Sequence, residues 1–248
     1  MKKEFTILLA GYGWFSGIPQ GETNNSELIA RALDGATIEA EGGLRARVHS
    51  VIVPVVWENA FPHVRAEIER VKPDIVVAMG TDARISGIRP EPYAVNWQRG
   101  TDALPENPEM QTTVDGKILE NGDDVLRGTL PYEEMVLSIL KQGIPALIGQ
   151  TLPPQEDVPL RASATPGLYL CNKMAYLLAD YGHTHGLPAG FIHVPTQPEY
   201  AAARRLKRLA ELEGEERLQA MARPISAMPL PMMIEGVRAA LGACLRAL

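Results

Sequence analysis

One of the two cysteines of this chain stands where a thiol could act as a nucleophile. Cys171 follows the turn residues Pro166 and Gly167 and a short apolar run, and the residues after it predict a helix that extends to Tyr181. A thiol at the start of a helix lies close to free backbone N–H groups and to the positive end of the helix dipole, which favour the thiolate. His193 follows 22 residues later in a strand-like segment. A cysteine that ionises readily, followed by a histidine, predicts a thiol hydrolase.

A catalytic histidine of this kind also needs an orienting group, for which a carboxylate is the usual choice. Glu91 follows the third predicted strand and meets the positional requirement, although spacing alone leaves several other carboxylates in play. We expect Cys244, on the apolar face of the last predicted helix, to serve in packing, because free cysteines are usually buried. His183 and His185 alternate at a helix end, but no third ligand follows at a spacing typical of a metal site. The pattern therefore predicts no metal site.

The elements that must position these side chains are apolar strands that alternate with amphipathic helices. Strands are predicted at 5–10, 46–53, 74–79, 93–97, 144–149 and 189–194. Helices are predicted at 25–33 (with Asn24 or Asn25 as the cap), 59–71, 131–141, 171–181, 199–221 and 232–248. The alternation indicates a single α/β domain over residues 1–248. Its central, mainly parallel, twisted sheet would have helices on both faces, a three-layer α/β/α architecture.

Sites in sheets of this kind lie beyond the carboxyl ends of the strands. The segments Gly11-Tyr12-Gly13 and Gly80-Thr81-Asp82 fall there, as does the loop after His193. Two stretches do not fit the pattern: 99–126 is acidic and is predicted to be nearly structureless, and 150–165 is Pro-rich and polar. Loops of this length usually serve a function or move.

The composition excludes several classes of partner. The net charge is -6 and no basic stripe is visible, which argues against nucleic acid and against an anionic membrane surface. The longest apolar runs, such as Ile75 to Met79, are too short to span a bilayer. The first residues favour a strand over a signal peptide. The lack of a predicted signal peptide and the presence of only two cysteines indicate that the protein resides in the reducing cytoplasm.

Two segments resemble the cysteine and histidine motifs of the pyroglutamyl peptidase I family: residues 167–172, GLYLCN, and residues 190–195, GFIHVP. The first strand and its loop, residues 7–15, are similar to that family's opening Gly-Phe-Gly-Pro-Phe. Weaker similarities are the Glu91-to-Asn96 spacing, Gly80 eleven residues before the acid, and the tail from Met228 through Gly236. The resemblance extends over nearly the whole chain.

The resemblance implies a cysteine omega-peptidase that removes an N-terminal pyroglutamyl residue from peptides, with no metal and no cofactor. It implies that Cys171 attacks the pyroglutamyl carbonyl, that His193 transfers the proton to the leaving amine, and that Glu91 orients the imidazole. The implied partner is a peptide with a blocked N terminus. Relatives often form dimers or tetramers, so the resemblance is compatible with a homodimer or a homotetramer.

The substrate-binding residues implied by the resemblance are Tyr12, Phe15, Thr81 and Arg84. Tyr12 and Phe15 stand at the family's aromatic positions and would flank the lactam ring, although either could also be a core aromatic. Arg84 lies one residue before the position at which the family has its arginine. In an extended segment a shift of one residue reverses a side chain, which favours a structural role for Arg84 over a catalytic one.

Further departures surround the predicted site. Ile85 occupies the family's arginine position, Asp82 stands where the family keeps alanine, Trp14 replaces a proline, and the 150–165 loop is longer than the family's link. Two alternatives therefore accompany the peptidase hypothesis. One is a thiol amidase for a different small or cyclic N-acyl group, which the pocket changes favour. The other is a non-catalytic binding protein that retains the fold.

Overall fold

The computed structural model describes residues 4–15, 18, 21–102, 112–150 and 166–248. In chain order, its strands are β1 (Phe5–Tyr12), β2 (Thr37–Ala40), β3 (Leu44–Val53), β4 (Ile75–Thr81), β5 (Arg89–Glu91), β6 (Tyr93–Val95), β7 (Gln98–Thr101), β8 (Thr113–Gly116), β9 (Val125–Arg127) and β10 (Ala189–Val194). Its α-helices are α1 (Asn25–Leu33), α2 (Ala60–Val71), α3 (Tyr132–Lys141), α4 (Leu170–His185), α5 (Pro198–Ala210), α6 (Gly214–Ala222) and α7 (Leu230–Arg246).

The central sheet has six strands in the order β2-β3-β1-β4-β10-β5. β1 pairs in parallel with β3 and β4, and β4 pairs in parallel with β10. The two edge strands, β2 and β5, pair antiparallel with their neighbours. The predicted mainly parallel sheet is therefore confirmed, with antiparallel strands added at both edges.

Side chains of the central strands alternate between two apolar cores, one on each face of the sheet. Ile7 and Leu9 of β1 pack in the core that contains α1, α3 and α7. Leu8 and Ala10 pack in the core that contains α2 and α4. Because neighbouring residues of a strand point to opposite faces, the central strands β1, β4 and β10 are buried on both faces and are mostly apolar. This arrangement is the predicted three-layer α/β/α architecture.

Helix α1 begins where the sequence indicates, because the side chain of Asn24 accepts a hydrogen bond from the Ser26 amide. The strand predicted at 144–149 forms only in part. Ala146 makes a parallel β-bridge with Ile88, and the amides of Leu147 and Gly149 donate to the carbonyls of Ile88 and Pro90 at 2.9 and 2.8 Å. Pro145 has no N–H to donate to a longer ladder.

Two further predictions need correction, and one strand was not predicted. The stretch 99–126 is not structureless, since it contains β8 and β9, which pair with β7 and β6. The helix predicted at 199–221 is two helices, and Gly214, at the start of α6, has a positive φ of 53°. Strand β2 was not predicted, because its four residues alternate too briefly to give a pattern. The 150–165 loop lies outside the described residues, apart from Gln150.

Strand β1 and helix α1 approach each other most closely at Gly11. A Cβ at this position would lie 2.3 Å from the carbonyl oxygen of Ser26 and 2.9 Å from Cβ of Ala30. We expect Gly11→Ala to lower the free energy of unfolding by about 3 kcal/mol, because the obstructing atom belongs to the backbone. Urea unfolding followed by circular dichroism measures this change.

Gly116→Ala is the matched control, because a Cβ on Gly116 would meet nothing within 4 Å. If both variants unfold at the same urea concentration as the wild type, the β1–α1 approach does not constrain the fold.

Candidate active site

His193 and Glu91 meet across the antiparallel pair of β10 and β5. In this register His193 lies opposite Arg89, and Phe191 lies opposite Glu91. Nδ1 of His193 is 2.7 Å from Oε1 of Glu91, and both residues are buried. An ionised carboxylate only accepts hydrogen bonds, so Nδ1 donates and carries the proton. The contact fixes the imidazole plane and directs the other ring nitrogen, Nε2, away from Glu91.

Cys171 is the second residue of α4 and lies against Gly80 of β4. A Cβ on Gly80 would be only 3.0 Å from Sγ of Cys171, so the absence of a side chain at this position makes room for the thiol. Gly80 lies in parallel register with His193. The nucleophile candidate and the histidine therefore occupy the same face of the sheet, toward α4.

The start of α4 is held in place by the two residues that flank Cys171. The hydroxyl of Tyr12 donates to the carbonyl of Leu170 at 2.9 Å. The fully buried Asn172 side chain accepts from the Val95 amide at 3.0 Å and donates to the carbonyls of Val95 and Trp97, each at 2.8 Å. Four hydrogen bonds thus fix the peptide groups on either side of the thiol.

The charges around His193 favour its protonated form. Burial disfavours the imidazolium, but the negative charge of Cys171, a hydrogen bond with Cys171 and the hydrogen bond and charge of Glu91 outweigh burial and raise the pKa of His193 from 6.5 to about 9. Burial and the charge of Cys171 raise the pKa of Tyr12 well above its usual value, so its hydroxyl stays a donor. At neutral pH a protonated imidazole therefore lies in contact with the side chain of Cys171.

A cavity of about 160 Å³ opens beside the thiol. It is lined by Tyr12, Phe15, Asn24, Val55, Gly80, Thr81, Tyr169, Leu170 and Cys171. Among its polar groups, the hydroxyl of Thr81 donates to Oδ1 of Asn24 at 2.6 Å, so these two side chains are ordered by each other. The cavity is thus largely apolar, with a small number of fixed polar atoms next to a candidate nucleophile.

The structure brings most of the predicted site residues together. Tyr12, Phe15 and Thr81 line the cavity with Cys171, and His193 with Glu91 lies beside it. Arg84 is not among the residues that line the cavity, and its role in substrate binding stays a prediction. Its side chain is 76% exposed and binds Asp82 through Nε and Nη2, at 2.9 and 3.0 Å.

Sequence reasoning missed Arg89. Its Nε lies 2.6 Å from Oε1 of Glu91, the same oxygen that His193 binds, and its Nη2 lies 2.9 Å from Oδ2 of Asp82. Arg89 and Glu91 are two residues apart on β5, so strand alternation places them on one face. That spacing was the available signal, but it required recognising the three-residue strand β5 around Pro90.

Among the residues that the structure describes, no group of three histidine, cysteine or acidic side chains is arranged to hold a metal ion. His183 makes a hydrogen bond of 2.8 Å with the carbonyl of Arg127, and His185 stacks on Tyr181 with ring centroids 3.8 Å apart. Within the same described ranges, no helix is both long and apolar enough to cross a bilayer.

Comparison with known proteins places this geometry in a family. A family model described as pyroglutamyl peptidase matches residues 5–247. The pyrrolidone-carboxylate peptidase of Pyrococcus furiosus is 33% identical over 196 residues, which cover 78% of this chain and 82% of the relative. The pyrrolidone-carboxylate peptidase of Saccharolobus islandicus is 30% identical over 233 residues, which cover 94% of this chain and 91% of the relative.

Solved structures agree with the sequence relatives. The pyrrolidone carboxyl peptidase from Pyrococcus furiosus superposes with a TM-score of 0.74 at 28% identity, covering 98% of this chain and 99% of that one. Pyroglutamyl peptidase I from Bacillus amyloliquefaciens gives a TM-score of 0.71 at 25% identity, covering 98% and 97%. With the family model matched from the first strand to the last helix, this chain belongs to the pyroglutamyl peptidase family.

Proposed function

We propose that this protein is a cysteine omega-peptidase that removes N-terminal pyroglutamate from peptides through an acyl-enzyme on Cys171. The observation that carries the proposal is the thiol at a small cavity, in contact with an imidazole that a buried Glu91 holds by a hydrogen bond of 2.7 Å. The names of the relatives, pyrrolidone-carboxylate peptidases, support the choice of acyl group.

In the acylation step, Sγ of Cys171 attacks the carbonyl carbon of the pyroglutamyl residue. The C=O electrons move to the oxygen, and backbone N–H groups at the start of α4 stabilise the resulting oxyanion, a contribution of about 3–4 kcal/mol per donor in comparable enzymes. When the tetrahedral intermediate collapses, the C–N bond breaks. The imidazolium of His193 gives the proton of Nε2 to the leaving nitrogen, so the shortened peptide departs as a neutral amine.

Deacylation returns the enzyme to its starting state. The now neutral His193 removes a proton from a water molecule, and the resulting hydroxide attacks the thioester carbonyl. The C–S bond breaks, and pyroglutamic acid leaves and loses its proton to water. Sγ of Cys171 keeps the electron pair of the C–S bond, and His193 is an imidazolium again. Glu91 stays ionised throughout and holds Nδ1–H, which keeps Nε2 directed at the reacting atoms.

The cavity fits a small neutral acyl group. The aromatic rings of Tyr12 and Phe15 and the side chain of Val55 provide apolar surface, while Thr81 and Asn24 provide polar atoms for the amide of a lactam. An ordinary N-terminal residue carries an ammonium group, and its burial here without a counter-charge would be costly. This chemistry favours an N terminus that is blocked by cyclisation.

The departures at Asp82 and Ile85 do not favour a different acyl group. Neither residue lines the cavity, because Ile85 is buried in the core and Asp82 binds Arg84 and Arg89. The third departure near the pocket is Trp14. It precedes Phe15 in the chain, and Phe15 lines the cavity.

The first test compares amide substrates in one assay. We expect the wild type to release the fluorophore from a pyroglutamyl amide faster than from acetyl, prolyl or glutamyl amides. Cys171→Ala should lower turnover by about 10⁶-fold, because the nucleophile is lost. Cys244→Ala is the matched control, since that buried thiol lies in α7, away from the cavity.

Two results would contradict the proposal in different ways. Faster release from another small N-acyl amide would establish the thiol amidase alternative. No release from any amide, with Cys171 still alkylated by iodoacetamide, would leave the non-catalytic binding protein.

A second test uses pH. The pKa of His193 is raised from 6.5 to about 9, so the imidazolium is present below about pH 9 and is lost above it. We therefore expect kcat/KM to fall on the alkaline side with a midpoint near pH 9. Glu91→Gln should move that midpoint to lower pH, because the neutral amide no longer supports the positive charge.

The same titration also makes the free energy of unfolding depend on pH. A histidine whose pKa is raised on folding stabilises the native state fully below its unfolded pKa, and this contribution is lost as pH rises through about 9. Thermal unfolding at pH 6 and pH 10 measures it, with His193→Gln as the control. A fall of the wild-type kcat/KM with a midpoint near pH 6.5 would show that His193 does not pair with Cys171 and Glu91.

A third test concerns the space beside the thiol. A Cβ on Gly80 would lie 3.0 Å from Sγ of Cys171 and 3.0 Å from Cζ of Phe191. We expect Gly80→Ala to lower kcat by about 10- to 100-fold, because the thiol must move away from its productive position. Gly13→Ala is the control, since its nearest contact would be an ordinary 3.5 Å. Unchanged kcat in Gly80→Ala would mean that the thiol position is not constrained there.

A further inference from the structure

Arg89 lies inside the candidate catalytic centre rather than at its edge. Its side chain is only 12% exposed, and it contacts two buried carboxylates at once. One contact, 2.6 Å from Nε, is with Oε1 of Glu91, which also accepts the hydrogen bond from His193. The other, 2.9 Å from Nη2, is with Oδ2 of Asp82. One guanidinium therefore connects the orienting carboxylate to a second carboxylate across the site.

Asp82 is itself fixed relative to the strand that carries His193. Its backbone amide donates to the carbonyl of Val194 at 3.0 Å. Its carboxylate binds Arg84 as well as Arg89. Burial raises the pKa of Asp82, but the hydrogen bonds from the side chain and backbone amide of Arg84, with the charges of His193 and Arg84, outweigh burial and hold this pKa well below its usual value. Asp82 is thus an ionised anchor for the guanidinium.

A planar guanidinium suits this position because its donors lie in a rigid fork that binds two carboxylates in fixed directions. Nη2 of Arg89 is 3.5 Å from Nδ1 of His193, so a positive charge lies beside the imidazolium. An arginine here without Asp82 would oppose protonation of His193. The carboxylate of Asp82 offsets the positive charge of Arg89, and the planar guanidinium still binds Glu91 in a fixed direction.

Building on the proposed function, we propose that Asp82 and Arg89 form a positioning pair for the catalytic centre: Asp82 anchors Arg89, and Arg89 fixes the Glu91 carboxylate in the orientation that His193 requires. The pair accounts for one departure of this chain from the family pattern, the aspartate in place of alanine. Asp82 and Arg89 do not touch the reacting atoms; they act through Glu91 and His193.

The charged and titratable groups that face His193 define what a test must separate. They are Glu91 and Arg89 on β5, Asp82 and Arg84 after β4, and Cys171 on α4. Removing the positive charge of Arg89 should raise the pKa of His193, and removing the negative charge of Asp82 should lower it. A loosened structure would not move the pKa in opposite directions in the two variants.

The experiment measures the pKa of His193 by NMR of protein labelled with ¹³C-histidine, where His193→Gln identifies its signal among the five histidines. We expect Arg89→Gln to raise this pKa by about one unit and Asp82→Asn to lower it by about one unit. The double variant should return it close to the wild-type value, because the two charges are removed together.

Steady-state kinetics on the pyroglutamyl amide complete the design. We expect each single variant to lower kcat by about 10- to 100-fold with little change in KM, because the acyl cavity is untouched. Arg89→Lys should keep the His193 pKa but not restore kcat fully, since an ammonium cannot bind both carboxylates in a fixed plane. Arg45→Gln is the control, because Arg45 forms an equally short but exposed pair with Glu39.

Shifts in the same direction, or no shift, in Arg89→Gln and Asp82→Asn would overturn the positioning pair. The NMR titration does not depend on turnover, so it distinguishes this failure from a wrong substrate. Should Arg89→Gln not fold, Asp82→Asn and Arg89→Lys carry the test. Unchanged kcat in both of those variants would also overturn it.

Discussion

The hydrogen bond between His193 and Glu91 is the contact on which the geometry of the site depends. It exists because β5 joins β10 antiparallel at one edge of a sheet whose inner strands are parallel. The parallel neighbour on the other side, β4, brings Gly80 into register with His193 and leaves space for the thiol. One strand, β10, is therefore paired with the strand that carries Glu91 on one side and with the strand that makes room for the Cys171 thiol on the other.

Buried charge imposes the second constraint. Asp82, Glu91 and His193 are all buried, and an unpaired charge in such surroundings costs several kcal/mol. Each is paired here, through Arg84, Arg89 or Cys171. The buried charges around His193 are therefore each matched by a neighbouring group of opposite sign.

The sequence predicted those parts of the fold whose physical signal is local. β10 was predicted with its observed bounds, because a buried parallel strand is a continuous apolar run. The start of α1 followed from Asn24, whose side chain caps the helix. By contrast, β5 has three residues, two of them charged and one a proline, so no propensity indicates a strand there.

The residues of the candidate site also differ in whether the sequence alone predicts their positions. Cys171 at a helix start and His193 on a strand were recognisable from the residues and from the family motifs, whereas Glu91 needed the resemblance to be preferred over other carboxylates. Arg89 was missed because its two-residue spacing from Glu91 is informative only once the short strand β5 and its pairing with β10 are known. For Arg84, the sequence does not reveal the ion pair with Asp82 that holds its side chain.

The residues on either side of Cys171, the candidate nucleophile, explain why the cysteine motif can be recognised in the sequence. An attacking atom must be placed within a few tenths of an ångström, and a helix end by itself frays. Here Tyr12 binds the carbonyl before Cys171, and Asn172 binds the backbone of β6 after it. Because both contacts are buried and specific in geometry, the side chains beside the thiol are as constrained as the thiol itself. The cysteine motif therefore reflects the contacts that hold the start of α4 in place. The position of the thiol, on which its chemistry depends, follows from these contacts.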